Sequence, residues 1–436
     1  MPLTMVENFF IRAFDKARKG DYQGAILDYT LSLQLNPADS KAYNNRGFAH
    51  FMVGDHLRAI ADYSAAIHLQ PDFAEAYYNR GIARFMTGAY ADALDDYTHA
   101  IHLKPTDSKA YGNRGFARLM LKDYLGAVQD YSEALRFNPQ DAKAYYNRGV
   151  AQTALENNEA ALQDLNRAID LNPDFAEAYN KRGSVWFELG DLAAAVQDYT
   201  DALARNPALA EAYYNRGVAY AEQGDTEQEI ADYSQAITFN PEFVEAYYNR
   251  GIARFMTGDY AGAVADYSRT LDMNPQDARA YGNRGFAHHM AGELEAAIQD
   301  YTAAIRLNPD FAEAYNKRAN ARFDRGDVPG AIEDYTHAIR INPDYATAYY
   351  NRGIARFDLG DVAGEIEDYN RTLRLRPDFA DAYLNRGIGY WRLGRPQEAR
   401  TDLQRAIALF RAQGDRGMEQ EILDLLEKLS YPSQKP

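Results

Sequence analysis

Apolar and polar positions recur along this chain with a period of 34 residues. In residues 74–107 the stretch from Glu75 to Thr87 carries apolar residues at helical spacing, and so does the stretch from Tyr90 to Leu103. Gly88 lies between the two stretches and Pro105 follows the second. Glycine supplies the left-handed backbone that closes a helix, and proline stops one because it lacks the next donor. Each unit therefore predicts a helix–turn–helix. Pro37, Pro71, Pro105, Pro139, Pro173, Pro207, Pro241, Pro275, Pro309, Pro343 and Pro377 keep this register without a slip. With these prolines at position 32, twelve units follow: 6–39, 40–73, 74–107, 108–141, 142–175, 176–209, 210–243, 244–277, 278–311, 312–345, 346–379 and 380–413. Ten carry glycine at the turn, and Lys122 and Glu156 replace it in the others. An unbroken register predicts one continuous domain over 1–436, with 414–436 as a capping helix and tail.

Positions 4, 8 and 11 of the first helix, and 20, 24 and 27 of the second, are the predicted packing stripes. Position 4 is Tyr in eleven units, from Tyr43 to Tyr383, and Phe9 in the first. Position 8 is Gly in ten units, with Ala13 and Ala319 in the others. Position 20 is Ala except for Glu229 and Glu365, and position 24 is Tyr except for Leu165 and Leu403. Small residues opposite large aromatics let two helices approach closely. These columns hold 21 of the 34 tyrosines, so the tyrosine content is mostly packing. Position 7 is Arg in every unit, from Arg12 to Arg386, and position 23 is Asp in every unit, from Asp28 to Asp402. The expectation is a ladder of Arg–Asp pairs between helices.

The pattern of aromatic at 4, Gly at 8 and 15, Ala at 20, aromatic at 24, Ala at 27 and Pro at 32 resembles the tetratricopeptide repeat. Ala76-Tyr77-Tyr78-Asn79-Arg80-Gly81-Ile82-Ala83 is a good example, and the resemblance covers 6–413. The arginine at position 7 departs from it, because the family commonly has leucine there. The resemblance implies an all-α fold, a right-handed α-solenoid of antiparallel hairpins whose first helices line a concave groove. It also implies a scaffold that binds protein or peptide and is not an enzyme. Thr4 and Glu7 have capping-box spacing for the first helix. Met418 to Leu429 resembles the family's terminal solvating helix, with Ile422, Leu425, Leu426 and Leu429 on one face.

Composition narrows the partner. The chain is 46% hydrophobic, 25% charged and carries a net charge of −16, which argues against nucleic acid and anionic membrane as partners. No cysteine means no disulfide, thiolate metal site or cysteine nucleophile. Met1 to Gly20 shows no signal-peptide pattern and no run of 18 apolar residues occurs, so the expected location is the cytoplasm. His99 and His102 sit one turn apart without a zinc-enzyme motif, and neither a phosphate loop nor a nucleophile elbow is present. The expectation is no metal, no cofactor and no catalytic residue.

Position 6 is the sharpest candidate. It is Asn45, Asn79, Asn113, Asn147, Asn215, Asn249, Asn283, Asn351 and Asn385 in nine units, and Ile11, Lys181 and Lys317 in the rest. A carboxamide donates and accepts, so a row of them suits successive peptide groups of an extended chain. The row resembles the asparagine ladder in the repeat region of O-linked N-acetylglucosamine transferase. Lys41, Asn45, Asn79 and Lys109 also resemble part of the carboxylate clamp of chaperone-binding members, but Asn113 stands where that clamp has arginine. A second window, Lys109, Asn113, Asn147 and Lys181, has Glu177 where lysine is expected. Lys41, Lys109, Lys143 and Arg279 each follow an Asp by two residues, which suggests local charge pairing at helix starts.

Apolar residues flank the row. Phe48, Phe51, Met52, Ile82, Phe85, Met86, Phe116, Leu119 and Met120 form one patch, and Ile252, Phe255, Met256, Phe286 and Met290 another. The flexible methionines at position 13 are the part expected to stay free for a partner. The two patches belong to stretches, 75–121 and 245–291, that closely repeat each other. A different reading of the chain is a structural protein that assembles into homo-oligomers through its groove or ends, so both monomer and homo-oligomer remain open.

Overall fold

A computed structural model describes residues 5–430. Among them are 25 helices and no strand. Contacts divide the chain into two compact units, Met1–Gly224 and Asp225–Pro436. In each unit consecutive helices pack as antiparallel hairpins, each hairpin packs on the next, and neighbouring first helices touch.

The turns show why the hairpins close where they do. Ten turn glycines have φ between +72° and +90°, a region that L side chains rarely adopt. Lys122 and Glu156 take the same conformation at φ +61° and +60°. The following aspartate commonly caps the second helix: Asp21 Oδ1 accepts from Gly24 N at 2.8 Å, and Asp259 Oδ1 from Gly262 N at 2.9 Å. The residue before each repeat proline leaves helical geometry, as Asn36 does at φ −133° and ψ 86°.

The core differs in one respect from the predicted stripes. Position 24 is the buried aromatic column, with Tyr63, Tyr97, Tyr131 and Tyr267 only 1–2% exposed. It lies against the glycine at position 8, where a Cβ at Gly81 would stand 2.7 Å from a ring carbon of Tyr97. The position-4 tyrosines, such as Tyr43 and Tyr77, are only half-buried. Alanines at positions 3 and 10 (Ala42, Ala49, Ala76, Ala83) take the interior places instead. Each position-4 ring lies under the arginine three residues on, with Arg46 5.4 Å from the Tyr43 centroid and Arg80 5.6 Å from Tyr77. Position 11 is also not an apolar seam, because it carries Lys16, Arg84, Arg118, Arg254, Arg322 and Arg356 toward the aspartate at 23.

The Arg–Asp ladder is present within both units. Arg46 Nη2 reaches Asp62 Oδ1 at 2.6 Å and its Nε reaches Oδ2 at 2.8 Å. The same fork recurs from Arg80–Asp96 to Arg386–Asp402. The remaining guanidinium nitrogen donates to position 25 of the preceding hairpin: Arg46 to Thr30 at 3.1 Å, Arg80 to Ser64 at 3.0 Å, Arg386 to Asn370 at 2.6 Å. Each of these three arginines thus joins its own two helices and the hairpin before it. The carboxylate holds the Arg46, Arg148 and Arg182 guanidinium groups above their ordinary basicity.

At the C-terminal end Arg416–Ser430 lies on Pro396–Gln413. Ile422 is 1% exposed in a cluster with Leu403, Ile407 and Phe410, and Leu425, Leu426 and Leu429 pack around it. This is the capping helix read from the sequence. Of the capping-box pair, Thr4 lies outside the described residues; Glu7 falls in the first turn of Met5–Arg18.

Candidate binding face of the first helices

Position 6 lies on the first helix one residue before the ladder arginine, so packing of the hairpin fixes its direction. All nine asparagines of the row are half-buried. Several tie one repeat to the one before. Asn79 Nδ2 donates to Asn44 Oδ1 at 3.2 Å, Asn113 to Tyr78 Oη at 3.0 Å, and Asn215 to Asn180 Oδ1 at 3.1 Å. In the second unit Asn283 donates to Tyr248 Oη at 3.0 Å, Asn351 to Asn320 Oδ1 at 3.2 Å, and Asn385 to Tyr350 Oη at 3.2 Å. Asn45 bonds the hydroxyl of buried Tyr29, whose pKa burial pushes up to about 12. The row is therefore a repeat-to-repeat fastener, and each such bond uses one of the two amide hydrogens.

The charged positions resolve differently from the expectation. Lys41 and Lys109 are exposed. The aspartates before them are helix N-caps: Asp39 Oδ1 accepts from Ala42 N at 3.0 Å, Asp107 from Lys109 N at 3.1 Å, and Asp277 from Arg279 N at 2.9 Å. Among the described residues no ion pair joins these aspartates to the cation two residues on. The backbone, with its unpaired first-turn N–H groups, selects aspartate there. Lys181, which replaces asparagine in the row, is partly buried, and burial holds its ammonium below the ordinary lysine range.

The apolar patches divide by depth. Phe85 stacks on Phe116 at 5.2 Å between ring centroids and also meets Tyr90 at 5.0 Å; Phe255 meets Phe286 at 4.8 Å and Tyr260 at 5.3 Å. Phe51 packs on His56. These phenylalanines link neighbouring hairpins. Leu119 belongs to the core, 8% exposed beside Ala127 and Tyr131, and drops out of the surface patch. The methionines stay outside: Met52 is 45% exposed, Met86 58%, Met120 43%, Met256 75% and Met290 48%. Exposed thioethers of this number form an adaptable apolar edge along the first helices of each unit.

Two pockets open on this face in the second unit. One of about 280 Å³ lies between Phe357, Asn385 and Ile388. The other, about 370 Å³, has Gly282 in its wall, with Tyr248, Tyr301 and Phe311 around it. Sequence reasoning missed this second pocket. The available signal was glycine at position 5, which occurs only at Gly112 and Gly282. Among the described residues no group of three or more His, Asp or Glu side chains is placed to hold a metal ion. No helix of the described residues is long and apolar enough to cross a membrane.

Comparison with known proteins gives the family. Profiles described as TPR repeat match residues 54–88, 120–156, 183–224, 219–258 and 319–360. Tetratricopeptide repeat profiles match 248–312, then 74–107 and 142–175, then 380–412. No curated protein matches. Among solved structures, the APC/C Cut9–Hcn1 hetero-tetramer is 15% identical over 98% of this chain and 96% of that one, with a TM-score of 0.45. A tetratricopeptide repeat protein from Parabacteroides merdae is 21% identical over 57% and 98%, with a TM-score of 0.46. YrrB, a TPR protein, is 27% identical over 42% and 95%, with a TM-score of 0.36. With profile matches over more than half of its length and helical hairpins repeating in the same register, the chain belongs to the tetratricopeptide repeat family.

Proposed function

We propose that this chain is a non-enzymatic scaffold that holds extended segments of protein partners along its first-helix face, as a single continuous array working in the cytoplasm. Family membership supports the general role of protein interaction. The observation that carries the finer reading is the juxtaposition of half-buried carboxamides at position 6 with the exposed methionines at position 13 on the same helices. Carboxamides suit the peptide groups of an extended partner and methionines suit its varied apolar side chains. Lys41 and Lys109 add positive charge at one stretch of the row.

The test is affinity capture with the full chain, identified by mass spectrometry. One variant carries Asn79→Ala, Asn113→Ala and Asn147→Ala; another carries Met86→Asp and Met256→Asp. Because Asn79 and Asn113 also fasten repeats, both variants are first checked for native helical content and melting temperature. Partners held by the native chain and lost by both variants support the reading. Partners retained by both variants refute it. If the chain captures chiefly itself, and light scattering shows mass rising with concentration, the homo-oligomeric reading replaces it.

A further inference from the structure

Position 5 usually fills the space between neighbouring first helices. In two repeats a position-5 tyrosine packs on an aromatic at position 34 of the same repeat, Tyr146 on Phe175 at 4.9 Å between centroids and Tyr350 on Phe379 at 4.6 Å, while Asn44 and Asn316 stand at position 5 in the repeats of Phe73 and Tyr345. Phe311 is also aromatic at position 34, but its position-5 partner is Gly282. A Cβ there would meet only Phe311, at 3.6 Å. The missing tyrosine leaves the pocket of about 370 Å³. At Gly112 the corresponding position 34 is Asp141, and a Cβ would meet nothing within 4 Å.

A second substitution falls on the same pocket. Position 6 of the next repeat is Lys317, where nine repeats have asparagine. In some repeats that asparagine bonds the buried position-24 tyrosine, as Asn45 does Tyr29 and Asn385 does Tyr369, whereas Tyr131 beside Asn147 has no partner for its hydroxyl. Tyr301, which lines the pocket, is 0% exposed and its hydroxyl makes no hydrogen bond. A buried hydroxyl without a partner is costly and invites an acceptor. The cations agree with an anionic one. Arg279 lies over the Tyr248 ring at 5.6 Å and has no carboxylate within 4.0 Å among the described residues. Lys317 Nζ is 2.8 Å from Oε1 of exposed Glu313, a contact that an incoming carboxylate can replace. Asn283 gives one amide hydrogen to Tyr248 and keeps the other.

We propose that this pocket receives the side chain of an internal aspartate or glutamate of a bound polypeptide, with an adjacent aromatic residue of that segment against Phe311 and Tyr248. The carboxylate accepts from Tyr301 and pairs with Arg279 and Lys317. The aromatic neighbour restores the ring contact that Gly282 removes. This rests on the peptide-scaffold reading and gives it a residue-level specificity.

The test uses the full chain and the capped peptide acetyl-Gly-Phe-Glu-Phe-Gly-amide, titrated by ligand-observed NMR. Controls replace the glutamate by lysine or the phenylalanines by alanine. Gly282→Tyr fills the pocket with the residue seen at Tyr146 and Tyr350, and Lys317→Asn restores the common residue of the row. Both should keep the native fold by circular dichroism. The expected result is affinity reduced at least tenfold by either substitution and by either peptide change, with Gly112→Tyr leaving it unchanged. No saturation transfer at millimolar peptide, binding indifferent to both substitutions, or binding that needs a free peptide C-terminus would overturn the proposal. The two readings fail separately. Peptide lost from the Asn79/Asn113/Asn147 variant but kept by Gly282→Tyr sinks the pocket alone. Peptide sensitive to Gly282→Tyr, with captured partners indifferent to the asparagine variant, sinks the asparagine row alone.

Discussion

Asp96 offers the sharpest test of the ladder. It is 1% exposed and receives Arg80 Nη2 at 2.7 Å, Arg80 Nε at 3.0 Å and Arg84 Nη1 at 2.8 Å. Asp96→Ala removes the carboxylate and leaves two guanidinium groups facing each other, with side chains only 15% and 24% exposed. Breaking a buried pair by removing one partner costs about 3–5 kcal/mol. The residual access of both arginines to water puts the expectation at the lower end, about 3 kcal/mol. Urea unfolding followed by far-UV circular dichroism measures it, and hydrogen exchange locates it. Nearest-neighbour coupling predicts loss of protection centred on Ala74–Met86 and Tyr90–Leu103, not across the chain. Replacing Arg80, Arg84 and Asp96 together by leucine should recover most of the loss, because no uncompensated charge remains. Asp28→Ala is the internal comparison. Its partner Arg12 has a side chain 53% exposed, so a smaller loss is expected there. A loss at Asp96 under about 1 kcal/mol, or equal to that at Asp28, would refute the reasoning, since it would make the ladder a surface feature.

Glu365 gives a pH prediction. It is 0% exposed at a position held by alanine in ten of the twelve repeats, neither oxygen has a hydrogen-bond partner, and Arg392 stands 3.5 Å away. Burial pushes its pKa up to about 7. The folded state therefore binds more protons than the unfolded state between the ordinary glutamate range and pH 7, and stability falls as pH rises through that window, by about 3 kcal/mol. Glu365→Ala should flatten the curve of melting temperature against pH over that range, and an unchanged slope would count against burial as its cause. Lys122→Gly and Glu156→Gly, at φ +61° and +60°, should each raise stability by about 0.5–1 kcal/mol in chemical denaturation, because glycine takes this conformation without steric penalty. Ile422→Ala should cost about 2–4 kcal/mol and loosen the capping helix first, which limited proteolysis near the C-terminus would show. A uniform loss over the whole second unit would argue instead that the cap is not a separate layer.

Much of this protein was legible from spacing alone. The 34-residue register, turn glycines and terminating prolines determined the hairpins, because backbone conformation and missing donors act within a few residues. Position 7 and position 23 were each constant, and the sequence predicted their pairing before any distance was known. The capping helix was visible from the apolar face of Ile422 to Leu429. Depth was not legible. Tyrosine at positions 4 and 24 looks alike in sequence, yet Tyr63 is 1% exposed and Tyr43 is half-buried, because the angle at which two helices meet decides which ring lies over glycine. The asparagines of position 6 read as a row of ligand groups, and packing brought the preceding repeat's side chain within 3.0–3.2 Å of several of them. The aspartates before Lys41 and Lys109 read as charge partners, and helix geometry turned them onto backbone N–H groups. The Gly282 pocket needed three separate hairpins side by side to become visible, since Tyr248, Phe311 and Lys317 are apart in sequence. Periodicity is local and survives in one dimension; burial, partner choice and cavities depend on which surfaces meet, and only the packed repeats decided those.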